Sequence, residues 1–146
     1  MKWVALVTWV LTAGGGFVML GLWLKHGGMR QSDEPGDRIR SARILSHFAL
    51  AATGLVVWIV YVATDTRGLA WVAFGLLAVV AVLGFSMLAI WLRQRSRQPA
   101  FAGAAGAVAD ASPAEQHFPT PIVALHGLLA ATTLVLVLLV AAGVGS

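Results

Sequence analysis

The sequence predicts an all-α polytopic membrane protein in which four transmembrane helices form an up-and-down bundle. Hydrophobic residues make up 59% of the 146 positions and charged residues only 11%, a composition far from that of soluble domains. The chain also contains four apolar runs of about 20 residues, the length that a helix needs to cross a bilayer. Charged residues, glycine or proline separate these runs. Residues 1–146 are therefore expected to form a single membrane domain.

The four helices are predicted at residues 3–24, 44–63, 69–92 and 122–140. The first run is interpreted as a span and not as a cleaved signal peptide, because its apolar core is long and ends in Trp23-Leu24-Lys25. A short turn follows the second run and makes a hairpin with the third. Residues 93–119 are rich in Ala, Gly, Ser and Pro, which predicts a flexible linker before the fourth helix.

The distribution of basic residues predicts the orientation. Eight Lys and Arg residues fall on one side of the predicted bundle and two, Lys2 and Arg67, on the other. By the positive-inside rule, both termini lie outside the cell membrane, and the loops at 26–42 and 93–119 are cytoplasmic. The bases flank apolar spans, which favours contacts with anionic lipid over nucleic acid. Aromatic residues near both ends of the spans are expected to form interfacial belts: Trp3, Trp58, Tyr61 and Trp71 outside, Trp23 and Trp91 inside.

Several kinds of function are excluded or disfavoured by composition. The chain has no cysteine, so disulfides, iron–sulfur clusters and covalent haem attachment are excluded. No Asp, Glu, Lys or Arg lies well within the apolar runs, which disfavours transport through a buried carboxylate relay. The sequence shows no nucleophile set, buried acid pair or phosphate-binding loop. We therefore expect that the chain alone is not an enzyme.

Two histidines, His47 and His126, lie within the second and fourth runs. Ionisable residues inside a membrane are functional candidates because they are costly to bury. Both are about a turn from the cytoplasmic end of helices that run in the same direction. In an up-and-down bundle these helices are diagonal neighbours, roughly 11–14 Å apart if adjacent axes are 8–10 Å apart. Two inward imidazoles could therefore hold the iron of one b-type haem from both sides.

The residues around the histidines fit a flat cofactor. The positions four and seven residues after each histidine are small: Ala51 and Gly54 in the second run, Ala130 and Thr133 in the fourth. Arg43 lies one turn before His47 on the same face, where it could pair with a haem propionate.

This layout, Arg43-x-x-x-His47 together with His126-Gly127, resembles the membrane cytochromes b, which hold haem between alternate helices of a four-helix bundle. The resemblance covers the second and fourth runs and implies electron transfer. Such cytochromes commonly hold two haems, whereas this chain has ligands for one.

Other roles for the histidines remain open. Each imidazole could simply make an interhelical hydrogen bond in a structural or accessory subunit, which would associate with a larger membrane complex or with its own copies through small-residue faces. His26 and His117 lie on the same side of the membrane, so three or four imidazoles could also bind a divalent metal. A quinone site is a further alternative. Gly14-Gly15-Gly16 in the first run indicates either close approach of another helix or mere tolerance of glycine.

Overall fold

The computed structural model describes residues 1–31, 38–97 and 113–144 and shows an all-helical bundle. Its helices are α1 (Lys2–Lys25), α2 (Gly28–Gln31), α3 (Ser41–Thr64), α4 (Arg67–Arg97) and α5 (Thr120–Ala141), with a 3₁₀ turn at Ala114–His117. Helices α1, α3, α4 and α5 are each long and apolar enough to cross a membrane. The four predicted spans are therefore confirmed, with ends that differ by one to five residues.

The four long helices form a ring in the order α1, α3, α4, α5, because each packs against the next and α5 packs extensively against α1. Consecutive helices run in opposite directions. Helices α3 and α5 consequently lie on a diagonal and run the same way, as predicted. One end of the ring, here called the turn end, holds the α3–α4 connection. The other, the basic end, holds the last residues of α1 and α4 and the first residues of α3 and α5.

The turn end is closed by a tight connection and an ion pair. Asp65 ends α3 in the left-handed conformation, with φ of 54°, which Asp tolerates better than most residues. The ammonium group of Lys2 pairs with the Asp65 carboxylate and donates to the carbonyl of Val62 at 3.3 Å. The start of α1 is thereby fixed to the end of α3.

Packing is tightest in the half of the bundle next to the turn end. Its buried core includes Trp9, Trp58 and Tyr61, and the Trp58 ring contacts each of the other two. Outward-facing residues such as Val82 and Leu128 remain more than 60% exposed, as expected for helices surrounded by lipid.

The basic end is closed by a second buried group, built around Glu115 in the 3₁₀ turn. One carboxylate oxygen of Glu115 accepts the backbone N–H of Ile39 at 3.0 Å and the Gln94 side-chain amide at 2.8 Å. Its carbonyl accepts the indole N–H of Trp91 at 3.1 Å. Trp23 is also buried at this end and contacts α2.

Two sequence expectations differ from this structure. The predicted linker begins within α4, which continues to Arg97, and ends in the packed 3₁₀ turn; its residues 98–112 lie outside the described residues. Polar side chains explain the difference, because Gln94 and Glu115 bond each other although neither lies in an apolar run. The aromatic belts are also only partly formed. Trp3 and Trp71 are exposed, but Trp23, Trp58, Tyr61 and Trp91 are buried inside the bundle.

Candidate functional site

The two intramembrane histidines lie at the same depth in the bundle. His47 is six residues after the first residue of α3, and His126 is six residues after the first residue of α5. At a rise of 1.5 Å per residue, each is about 9 Å inside its helix. Both rings are half-buried, and each points toward the next helix of the ring, His47 toward α4 and His126 toward α1.

Each imidazole is held by a backbone carbonyl of that neighbouring helix. Nδ1 of His47 lies 3.0 Å from the carbonyl oxygen of Val80 in α4, and Nδ1 of His126 lies 2.9 Å from that of Thr12 in α1. A carbonyl can only accept, so both Nδ1 atoms carry the hydrogen when these bonds form. The other ring nitrogen, Nε2, then keeps its lone pair when the ring is neutral. Metal-binding histidines commonly have this arrangement, since the bond at one nitrogen orients the ring and fixes its tautomer.

The two rings also lie near each other inside the bundle. Their centroids are 6.5 Å apart and their planes are inclined by 51°. With a metal–nitrogen distance of about 2.0–2.1 Å and about 1.2 Å from nitrogen to ring centre, two imidazoles on opposite sides of one metal have centroids roughly 6.4 Å apart. The observed centroid spacing is therefore close to that of two imidazoles on opposite sides of one metal.

The layer of the bundle that contains the histidines is loosely packed. None of the described residues 13–22, 42–53, 81–89 and 120–132 is fully buried. Buried side chains lie on both sides of this layer: the aromatic core toward the turn end, and Trp23, Trp91 and Glu115 toward the basic end. We call the region between them the histidine layer. It spans 9–13 residues per helix, or about 14–20 Å.

The other predicted cofactor residues fall into two groups. Ala51, Ala130 and Arg43 are half-buried within the histidine layer. Gly54 and Thr133 belong instead to the packed half of the bundle. A Cβ on Gly54 would lie only 3.1 Å from the Trp9 indole, so this glycine makes room for Trp9. Any space for a flat cofactor on α3 therefore lies between Gly54 and the basic end of the bundle.

His26 and His117 form a separate pair at the basic end. Their rings stack in parallel, with centroids 3.7 Å apart and an angle of 10°. Each Nδ1 contacts a carbonyl of its own segment, Leu22 for His26 and Ala114 for His117. Across the described parts of the chain, no three His, Cys, Asp or Glu residues come together to hold a metal ion. The structure thus does not assemble the alternative site of three or four imidazoles.

Glycines lie opposite the histidines, although the sequence-based predictions did not connect them with the histidine site. A Cβ on Gly84 would lie 3.2 Å from Cε1 of His47, and a Cβ on Gly16 would lie 3.3 Å from Cε1 of His126. Both distances are shorter than an ordinary carbon–carbon contact of 3.5–4.0 Å. Of the two interpretations of Gly14-Gly15-Gly16, the distances at Gly15 and Gly16 favour close approach of another helix, whereas Gly14 faces open space.

An internal repeat would have identified these residues from sequence. The pattern Gly-Phe-x-Met-Leu-x-x-Trp-Leu occurs at 16–24 in α1 and again at 84–92 in α4. The pattern His-x-x-Leu-Ala-Ala-Thr-x-Leu-Val occurs at 47–56 in α3 and again at 126–135 in α5. The chain therefore consists of two related helix pairs, α1 with α3 and α4 with α5.

The structure follows the same repeat. Thr12 and Val80, whose carbonyls accept the two histidine hydrogen bonds, occupy equivalent positions four residues before Gly16 and Gly84. Burial repeats as well: equivalent buried pairs are Ala5 and Ala73, Trp9 and Leu77, Trp23 and Trp91, Trp58 and Val137, and Tyr61 and Val140. The histidine of each helix pair thus packs against the helix of the other pair that contains Gly16 or Gly84.

Comparisons with models of protein families, with curated proteins and with solved structures found no match to this chain.

Proposed function

We propose that this chain is a membrane haem protein in which His47 and His126 are the two axial ligands of one b-type haem, and that it transfers single electrons. The observation that carries the proposal is the paired geometry. Both imidazoles donate through Nδ1 to a backbone carbonyl, both keep the Nε2 lone pair when neutral, and their ring centroids are 6.5 Å apart. Ligands on both sides of the iron leave no open position for a substrate, which favours electron transfer over catalysis.

The residues around the pair support a non-covalent haem. The chain has no cysteine for covalent attachment, and the histidine layer is the loosely packed part of the bundle. Arg43 is one turn from His47 toward the basic end, where a propionate would need a cationic partner. We further propose that the basic end faces the cytoplasm of the cell and contacts anionic lipid there.

A reduced-minus-oxidised absorption spectrum tests the haem assignment. The full chain, expressed with ample haem and purified in detergent, is expected to give the sharp bands of a low-spin haem. His47→Ala and His126→Ala should each abolish these bands, because each removes one axial ligand. His26→Ala and His117→Ala are matched controls at the other histidine pair and should keep the pigment. A colourless wild-type protein, or unchanged bands in both ligand variants, would refute the assignment.

A structural role is the second candidate, and one observation favours it. Each histidine already makes an interhelical hydrogen bond, which is the whole role that an accessory subunit would require. Under this proposal the protein is colourless and co-purifies with a larger membrane complex. His47→Gln and His126→Gln, which retain a side-chain donor, should then restore the stability that the alanine variants lose. A haem ligand would not be replaced by glutamine, so the pigment distinguishes the two roles.

A further inference from the structure

The geometry points to Gly16 and Gly84 as positioning residues that set the tautomer and orientation of His126 and His47. The same contact occurs twice in the bundle. Each ring donates to the carbonyl at one position of the neighbouring helix, Thr12 or Val80, and its Cε1 lies against the glycine four residues later. As a statement about haem ligands, this inference rests on the proposed function. As a statement about the imidazoles, it can be tested without haem.

Helix geometry explains why glycine is required at these positions. In an α-helix the carbonyl of residue i accepts the N–H of residue i+4, and the Cβ of residue i+4 leans back toward that carbonyl. A side chain at i+4 would therefore cover the oxygen that the imidazole must reach. Without a Cβ at Gly84 or Gly16, the carbonyl can accept a second hydrogen bond from a ring on another helix.

Direct contacts show that even one methyl group would disturb the rings. A Cβ at Gly84 or Gly16 would meet Cε1, the carbon between the two ring nitrogens, at 3.2 or 3.3 Å. The ring would have to move by a few tenths of an ångström, away from a bond that is now 3.0 or 2.9 Å long. The bond would lengthen, and the preference for a hydrogen on Nδ1 would weaken with it.

Each helix supplies its own control. A Cβ on Gly75 in α4 or on Gly14 in α1 would meet nothing within 4 Å. Gly75→Ala and Gly14→Ala therefore make the same chemical change on the same helices without touching a histidine. Any effect of Gly84→Ala or Gly16→Ala that exceeds its control must come from the contact with the imidazole.

Nitrogen-15 NMR of histidine-labelled, haem-free protein tests the inference directly. His26→Gln and His117→Gln in the background leave only the two intramembrane imidazoles to observe. Both are expected to be protonated on Nδ1 and bare on Nε2. Gly84→Ala should move the signals of His47 toward the Nε2-protonated form and leave those of His126 unchanged, and Gly16→Ala should do the reverse. The two controls should match the parent spectrum.

The second measurement is haem binding. Loss of a bond that orients a metal ligand typically weakens metal affinity 10- to 100-fold, so Gly84→Ala and Gly16→Ala should each bind haem at least about 10-fold more weakly than their controls. A colourless wild-type protein with the expected tautomers would refute the haem proposal and leave the positioning role intact. Conversely, Nε2-protonated rings in the wild-type protein, or glycine variants that match their controls in both measurements, would refute the positioning role. The wild-type spectrum decides the tautomers even if one glycine variant does not fold.

Discussion

Replacing Glu115 with alanine should open the basic end of the bundle locally, and the amide of Ile39 reports this directly. Glu115 is only 2% exposed, and its carboxylate accepts the Ile39 N–H at 3.0 Å. A hydrogen bond to a charged group contributes about 1.5–3 kcal/mol. Since 1.4 kcal/mol corresponds to a factor of ten, amide hydrogen exchange at Ile39 should become roughly 10- to 100-fold faster in Glu115→Ala.

Two comparisons make this measurement specific. Glu115→Gln keeps a carbonyl oxygen that can accept the Ile39 N–H. A neutral bond of about 0.5–1.5 kcal/mol is roughly 1–1.5 kcal/mol weaker than the charged one, so the Ile39 amide should exchange only about 5- to 10-fold faster than in the wild type. The amide of Asp65, which is bonded to the Tyr61 carbonyl at the turn end, should exchange at the wild-type rate in both variants. An unchanged rate at Ile39 in Glu115→Ala, or equal acceleration at Asp65, would refute the local role of the carboxylate.

The remaining predictions concern stability. Gly75→Ala should stabilise the bundle by about 0.5–1 kcal/mol through helix propensity, because its methyl group meets no neighbour. Gly84→Ala should gain less stability, because its methyl group would crowd His47. Titration with a denaturing detergent measures the stability of both variants, and an equal gain would contradict the crowding at Gly84. Lys2→Ala should cost less than about 1 kcal/mol at low salt and still less at high salt, because the Asp65 side chain of the pair is 71% exposed. The same titration at two salt concentrations checks this, and a loss independent of salt would argue against an ion-pair contribution.

Much of the architecture could be predicted from the sequence because it depends on length and hydropathy. Four apolar runs determine four helices, and the short turn at Asp65 determines an antiparallel hairpin. The diagonal arrangement of α3 and α5 then follows from chain connectivity, and with it the equal depth of His47 and His126. None of these steps requires knowledge of side-chain packing.

Features that depend on packing could not be predicted in this way. The small residue Gly54 indicated free space, but the Trp9 indole fills it. The tryptophans near the helix ends matched an interfacial belt, yet Trp23 and Trp91 point inward because the ring of helices needs bulky side chains to close its basic end. Glu115 lies in a segment whose composition is typical of a linker, and its burial depends on partners 76 and 21 positions away, Ile39 and Gln94. Hydropathy contains no information on such partners.

The two histidine bonds are equivalent in geometry but not in how the polypeptide joins the helices that they connect. His47 links α3 to α4, which the peptide backbone already joins through the two-residue connection after Thr64. His126 links α5 to α1, the last and first helices of the chain, which no loop connects. The His126 bond therefore crosses the contact in the ring that no loop joins. Loss of this bond weakens a contact between helices that only non-covalent packing holds together, whereas loss of its counterpart loosens a hairpin that the backbone still joins.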